Sequence, residues 1–447
     1  MSKSQGLITN RVTLSRCCGS PVPRVVHAVE KNFPELLQEA NRCVACGLCL
    51  PHCPTYRKTL SEADSPRGRI ALIKGVLEGR LAPSERFIGH LDLCLACRAC
   101  ENACPSHVSY GSLLDGIRPL VEAARAGSAW RRAAKRLLLR TVASPRGLSL
   151  MGRGLRGYQR WGGQSLARRS GLLRGLGLAR AEAALPDLPP QRRWKEVYPA
   201  HGGQRGEVAL FLGCVARIAD GETLAAAIFV LTRLGYRVRV PKAQTCCGAL
   251  HRRGGEPGAA DELARRNLDA FAGLAVDAIV STASGCGAPL GEYGATLGVE
   301  ASGFAAKVED VSRFLCRAQG WEEAKIQPLA ATIAVHDPCS LRNVLHGEGA
   351  VYTLLGRIPR AHVVALPGND QCCGGAGLYP LSQPEMAERL RDDKMEALRR
   401  CGAAFLATSN VGCAMWLKQG LQAAGLGIEV LHPVTFLARR MGFAGKC

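Results

Sequence analysis

Apolar positions in the C-terminal half of the chain follow two alternating rhythms. Short, mostly apolar runs at Val208–Leu212, Tyr236–Val240, Ala278–Ser281, Ile333–Val335, His362–Leu366 and Ala404–Ala407 read as strands. Between them, stretches such as Asp261–Leu274 and Pro384–Leu398 repeat apolar positions at helical spacing. Strand–helix alternation predicts parallel sheets, whose sites form beyond the carboxyl ends of the strands. The pattern also repeats. Val208-Ala-Leu-Phe-Leu-Gly-Cys214 is echoed by Ile333-Ala-Val-His-Asp-Pro-Cys339, Cys246-Cys247-Gly248 by Cys372-Cys373-Gly374, and Ser284-Gly285-Cys286 by Val411-Gly412-Cys413. The matched cysteines lie 125, 126 and 127 residues apart. A nearly constant offset predicts two homologous modules, at residues 206–325 and 326–447.

The middle of the chain has another texture. From Arg118 to Arg205 there are 19 Lys or Arg against 4 Asp or Glu, which accounts for most of the formal net charge of +21. Trp130 to Val142 is patterned as a helix, with Trp130, Ala134, Leu137, Leu138 and Thr141 on one face. Arg131, Arg132, Lys135, Arg136 and Arg140 fall on the other. Residues 121–205 thus read as a basic helical linker, closed by Pro186, Pro189 and Pro190. An apolar stripe opposed to a basic face suits a membrane surface or an acidic partner. Residues 1–30 lack periodicity and read as a flexible extension.

Twenty-one cysteines decide the chemistry. Met1 to Gly6 hold no apolar signal core, and a chain this long does not need a disulfide scaffold, so the expected compartment is the reducing cytoplasm. No apolar run approaches the roughly 20 residues that span a bilayer. Two runs inside residues 31–120 carry the strongest signal. Cys43-Val-Ala-Cys46-Gly-Leu-Cys49-Leu-Pro-His-Cys53-Pro54 and Cys94-Leu-Ala-Cys97-Arg-Ala-Cys100-Glu-Asn-Ala-Cys104-Pro105 share the spacing of two-cluster ferredoxins. In that arrangement three thiolates curl around one cluster and the fourth serves the other. The predicted ligands are Cys43, Cys46, Cys49 and Cys104 for the first cluster, and Cys94, Cys97, Cys100 and Cys53 for the second. A pair of zinc ribbons would show separated two-cysteine pairs instead. Ser65-Pro66-Arg67-Gly68-Arg69 reads as a helix start. Facing a cluster, Arg67 and Arg69 would also favour its reduced form.

Each C-terminal module offers four more soft ligands: Cys214, Cys246, Cys247 and Cys286 in the first, and Cys339, Cys372, Cys373 and Cys413 in the second. They are candidate third and fourth sites for an additional iron–sulfur cluster or zinc. His336 and Asp337 precede Cys339 and could support a ligand, although a strand-end histidine bonded to backbone is the plainer reading. Cys17, Cys18, Cys316, Cys401 and Cys447 stand outside these patterns. The expected fold is therefore an α/β multidomain chain: an N-terminal α-helical dicluster ferredoxin domain, a basic helical linker and two duplicated α/β cysteine-rich modules.

The ferredoxin runs, Ser65-Pro66-Arg67-Gly68-Arg69-Ile70, the two Cys-Cys-Gly modules, Thr282-Ala-Ser-Gly-Cys286-Gly, Glu292-Tyr-Gly294 and Arg391-Asp392-Asp393-Lys394-Met395 occur in an order that resembles the glycolate oxidase iron-sulfur subunits. The resemblance covers about residues 40–120 and 207–435. It extends more loosely to the iron–sulfur subunits of the anaerobic glycerol-3-phosphate dehydrogenases, the lactate-utilisation proteins and the heterodisulfide reductases. It implies an electron-transfer subunit that partners FAD-containing dehydrogenase subunits. These oxidise a 2-hydroxy acid such as glycolate to glyoxylate and pass electrons toward a membrane acceptor such as quinone. It also implies a cytoplasmic chain held peripherally at the inner face of the membrane, with no catalytic residue of its own. The heterodisulfide-reductase modules end in a cysteine pair, whereas Cys286 and Cys413 here stand alone. A thiol or disulfide reductase is the rival reading.

The remaining function classes find little support. Gly152-Arg-Gly154-Leu-Arg-Gly157 follows no predicted strand and lacks the acidic residue of a dinucleotide site. The arginine clusters have no interleaved aromatics and no DNA- or RNA-binding motif, so no nucleic acid is expected.

Overall fold

The structure, a computed structural model, describes residues 33–445 apart from 126, 128, 172, 174–178, 180, 181, 183 and 184. The extension at 1–30, with Cys17 and Cys18, lies outside the described residues, as does Cys447. The N-terminal region is helical. Phe33–Asn41, Pro54–Thr59, Pro66–Leu77, Glu85–Asp92 and Tyr110–Ala124 surround a core containing Leu36, Ile73, Leu91, Leu113 and Ile117. Ser65 starts the helix Pro66–Leu77 as its sequence predicts, its Oγ accepting from Gly68 N at 3.0 Å.

Two α/β modules follow. The first sheet has the order β1-β3-β2-β4-β5, built from β1 (Val197–Tyr198), β2 (Gly206–Phe211), β3 (Tyr236–Arg239), β4 (Ala278–Ser281) and β5 (Val308–Asp310). Only the β1–β3 pairing is antiparallel. The second sheet, β7-β6-β8-β9, is wholly parallel and uses β6 (Thr332–His336), β7 (His362–Ala365), β8 (Phe405–Thr408) and β9 (Glu429–Leu431). Its order reproduces β3-β2-β4-β5. Strand β2 shows why these runs are almost uninterruptedly apolar. Val208 and Leu210 pack to one side, with Leu224 and Phe314. Ala209 and Phe211 pack to the other, with Leu263 and Phe271.

The modules are not separate beads. Val208, Leu210 and Val280 of the first share one apolar cluster with Ile333, Val335 and Leu354 of the second. Thr223 Oγ1 meets Thr435 Oγ1 at 3.1 Å, and Ser284 N donates to Ser409 O at 3.0 Å across the same boundary.

The linker helix Ala129–Ala143 forms where expected, with Trp130, Leu137 and Leu138 of its apolar stripe turned to solvent. Trp130 and Leu137 are 78% and 67% exposed, while Leu139, absent from the predicted stripe, is buried. Lys135, on the basic face, donates to Glu122 Oε2 at 2.7 Å and to Gly254 O at 3.0 Å. The glycine pattern at Gly152, Gly154 and Gly157 lies within the helix Pro145–Arg160, not at a strand–helix turn.

The segment before Pro66–Leu77 is built around one glycine. A Cβ on Gly68 would lie 1.9 Å from the Glu62 carbonyl oxygen, a backbone atom that cannot turn aside. Gly68→Ala is expected to destabilise the N-terminal domain by about 1–3 kcal/mol, read as a lower denaturant midpoint. An unchanged midpoint would show that the Glu62 turn relaxes freely.

Candidate functional site: four clusters of cysteines

The two N-terminal runs share backbone conformation as well as spacing. Ala45 and Ala96 take left-handed φ values of 56° and 52°, and Gly47 and Arg98 follow at 87° and 60°. These reversals curl each Cys-x-x-Cys-x-x-Cys loop so that its thiols converge. Gly47 suits its reversal, and a Cβ there would also approach Arg67 Nη1 to 2.8 Å. Arg67 braces the first loop. It donates to Ala45 O at 2.9 Å and to Glu62 Oε1 at 2.7 Å.

One cavity is lined by Cys43, Cys46, Cys49 and Cys104, and a second by Cys53, Cys94, Cys97 and Cys100. The last cysteine of each run thus borders the cavity of the other. Cys100 and Tyr110 line both cavities, and Tyr110 donates to Cys94 Sγ at 3.6 Å. Arg69 is 1% exposed and reaches the second cavity. Its Nη1 is 3.9 Å from Cys53 Sγ, its Nη2 donates to Thr55 Oγ1 at 3.1 Å, and its Nε donates to His90 O at 2.7 Å. Burial, and then the neighbouring thiols, push the Cys97 and Cys100 pKa values well up. Four convergent soft donors fit a cluster whose iron takes up the thiolate charge.

The paired-cysteine sites lie at the carboxyl ends of the strands, as parallel topology requires. Cys214 follows β2, Cys246 and Cys247 follow β3, and Cys286 lies in the helix Ser284–Gly291 after β4. Cys339, Cys372, Cys373 and Cys413 repeat this after β6, β7 and β8, with Cys413 in the helix Val411–Ala423. Cys246 Sγ donates to Cys214 Sγ at 3.6 Å. In both modules the first cysteine shares a hydrogen bond with the leading member of the pair, and that bond with burial holds its thiol well above the ordinary value. Gly248 and Gly374 take φ of 86° after each pair. A Cβ on either would press on the helix behind it, at Ala260 and Ala387. All described cysteines are free of disulfides. Cys316 and Cys401 lie apart from the four sets and donate to the carbonyls of Ala350 and Leu398.

The second module abuts the second ferredoxin cavity. Asn343, in the π-helical turn Leu341–Leu345 after Cys339, donates to Cys97 O at 2.8 Å. Tyr379 donates to Leu93 O at 2.9 Å, and Leu95 enters the module's apolar core. After burial, charge at Cys339 adds to the rise of the Cys97 thiol; at Cys372 the bond to Cys373, burial and the Cys373 charge raise the thiol, with a lesser part from Cys97. A cleft of about 610 Å³ is bordered by Cys97, Cys247 and Cys339, and so touches the second ferredoxin set and both modules.

Several of these residues carry no sequence signal. Tyr110, Asn343 and Tyr379 act across 16 to 286 positions, beyond the reach of any local pattern. Asn410 donates to Cys413 Sγ at 3.3 Å, and its only sequence signal is that of a polar neighbour three residues away. His336 departs from the plainer reading: its Nδ1 meets the Thr408 hydroxyl at 3.0 Å, not a backbone group. Burial, with Lys394 nearby, lowers its pKa to about 3, so the ring is neutral. Asp337 instead accepts from Tyr352 and Asn369, facing away from a thiol role.

Comparison with known proteins matches this layout. The family described as 4Fe-4S dicluster domain matches residues 39–108, and the cysteine-rich domain family matches 208–291 and 333–418. The linker region of the glycolate oxidase iron-sulfur subunit matches 130–185. A probable glycolate oxidase iron-sulfur subunit of Bacillus subtilis is 35% identical over 435 residues, covering 93% of this chain and 97% of its own length. The glycolate oxidase iron-sulfur subunit of Escherichia coli is 36% identical over 385 residues, 83% of this chain and 88% of its own length. One subunit of a fumarate reductase (CoM/CoB) from Methanothermobacter marburgensis is 25% identical, covering 94% and 77%. With iron–sulfur domains, linker and full-length relatives all in agreement, the chain belongs to the glycolate oxidase iron-sulfur subunit family.

Proposed function

We propose that this chain is the electron-carrying subunit of a flavoprotein 2-hydroxy acid dehydrogenase, with glycolate as the substrate oxidised by its FAD-containing partners. The observation that carries the reading is the pair of cavities, each gathering three cysteines of one run and the last of the other. Cys43, Cys46, Cys49 and Cys104 are the ligands assigned to one 4Fe-4S cluster, and Cys53, Cys94, Cys97 and Cys100 to the other. Such clusters, when bound, supply one-electron storage without proton chemistry.

The chain's own residues do the rest. The left-handed loops around Ala45 and Ala96 fix the thiols, and Tyr110 and Cys100 form a thin wall between the cavities. Arg69 brings a buried positive charge to Cys53, which favours the reduced state of the second site. Asn343 holds the Cys97 carbonyl against the second module, which supports a route from that site into the C-terminal half. A dehydrogenase built this way separates two-electron chemistry at a flavin from single-electron export through this chain.

The linker supports docking at the inner face of the membrane, near a quinone acceptor. No helix of the described residues is long and apolar enough to cross a bilayer. Trp130, Leu137, Leu150 and Leu166 are nonetheless exposed on the arginine-rich helices Ala129–Ala143, Pro145–Arg160 and Gly163–Arg169, as is Trp161 between the last two. Apolar side chains amid basic ones suit an anionic lipid surface.

Protein purified without oxygen should hold about eight irons per chain from the two ferredoxin sites, and more if the modules are loaded. It should co-purify with a flavoprotein; a stable chain without such a partner would count against the dehydrogenase reading. Replacing Arg69 by Gln should lower the potential of the Cys53-containing site by about 60 mV, a tenfold change in a one-electron equilibrium, leaving the other site unmoved. Equal shifts at both sites would place the arginine's influence elsewhere. Combined Trp130→Ala, Leu137→Ala and Trp161→Ala substitutions should weaken co-sedimentation with anionic vesicles at least tenfold. Undiminished binding would rule out docking through the linker.

A further inference from the structure

The two cysteine-rich modules are duplicates, yet one carries a ligand atom that the other lacks. In the second module a ring nitrogen of His336 and the Sγ atoms of Cys373 and Cys413 all lie within 4.8 Å of one another, and all three residues are buried. His336 ends β6. The Thr408 hydroxyl on the adjoining strand engages Nδ1 at 3.0 Å and so sets the ring plane. Nε2 has no hydrogen-bond partner among the described residues. A buried nitrogen left in this way costs about 1–3 kcal/mol unless something binds it. One ring nitrogen oriented by a hydrogen bond and the other unpartnered among the described residues, on a ring beside two thiols, is how proteins present an imidazole to a metal.

The first module is the internal control. Its four cysteines follow the same strands, but Phe211 stands three residues before Cys214, where His336 stands three before Cys339. A second difference accompanies the first. Ala260 and Ala387 back the matching glycines Gly248 and Gly374, and seven residues beyond each alanine come Asn267 and Lys394. Asn267 is spent on backbone and a phenol, accepting from Thr245 N and donating to Cys246 O and Tyr293 Oη. Lys394 is 2% exposed and donates to Gly368 O; burial lowers its pKa, and the neighbouring Cys373 and Cys372 charges oppose that shift. The second site therefore differs from the first by one neutral nitrogen donor and one buried cation.

We propose that the second cysteine-rich module binds a metallocentre of mixed thiolate–imidazole ligation, with His336 as a ligand beside Cys373 and Cys413, whereas the first module offers thiolates alone. The inference rests on the reading that the modules bind metal. Zinc and the irons of a cluster both accept this donor set. A neutral imidazole in place of a thiolate makes an iron centre less negative and raises its potential, as histidine ligation does in the Rieske type. Lys394 acts in the same sense. The module touching Cys97 through Asn343 is thereby the one built to accept an electron from the second ferredoxin site.

The test uses the full-length chain, purified without oxygen and labelled with ¹⁵N-histidine. Metal bound by the second module is defined as that lost in the Cys373→Ser/Cys413→Ser variant. If that metal is iron, pulsed EPR of the reduced wild type should show a nitrogen coupling that changes with the histidine label. If it is zinc, X-ray absorption should show a nitrogen shell at about 2.0–2.1 Å beside sulfur at about 2.3 Å. His336→Phe, which copies the first module, should abolish either signature. The wild-type spectra decide the matter even where that variant fails to fold. Metal held by sulfur alone would overturn the role of His336 and leave the modules as metal sites. Metal content identical in wild type and Cys373→Ser/Cys413→Ser would overturn both.

Discussion

The exchange of one cysteine between the two N-terminal runs is the constraint on which the rest of the domain depends. Cys53 must cross to the cavity of the later run and Cys104 to that of the earlier one. The intervening helices are thereby obliged to bring together cysteines 41 to 61 positions apart. Ser65, Gly68 and Arg69 serve this closure: the cap starts the helix, the glycine lets the Glu62 turn lie against it, and the arginine ties Thr55 to the His90 carbonyl. Four thiols gathered at each cavity in this way make a site suited to an ion or cluster that takes up their charge.

Much of the architecture was legible because it is written in short-range spacing. The cysteine intervals, the strand–helix alternation and the offset near 126 residues each encode geometry that a few neighbouring residues enforce. The strand predictions agree with β2 to β4 and β6 to β8 to within a residue or two at each end. What the chain did not announce is relational. The face of Ala129–Ala143 that meets the protein follows from where Glu122 and Gly254 happen to lie. The contact of Asn343 with Cys97 joins residues 246 apart. His336 has the sequence of an ordinary strand end, and only the fold brings Thr408 to one nitrogen and leaves the other without a partner among the described residues.

Duplication has left the modules alike in backbone and unlike in chemistry. Their glycine turns, paired cysteines and strand orders correspond, so each presents four thiols at the same sheet edge. The substitutions between them, Phe211 against His336 and Asn267 against Lys394, lie in the lining of the sites and not on the surface. The second module meets the later ferredoxin run through Asn343 at the Cys97 carbonyl and Tyr379 at the Leu93 carbonyl, which gives the divergence a direction: a copy that bonds directly to a residue of the second cavity is the one whose site lining has changed.

The shared apolar cluster that joins Val208, Leu210 and Val280 to Ile333, Val335 and Leu354 has a thermodynamic consequence. Two repeats that bury one core do not melt separately; opening either one exposes the flank of the other. Any ion gripped by one set of thiols stabilises the folded state by mass action, and through the common core that stabilisation reaches the distant set as well. Each module in this sense keeps its sibling's cysteines folded away from oxidants, whether or not the sibling is itself loaded.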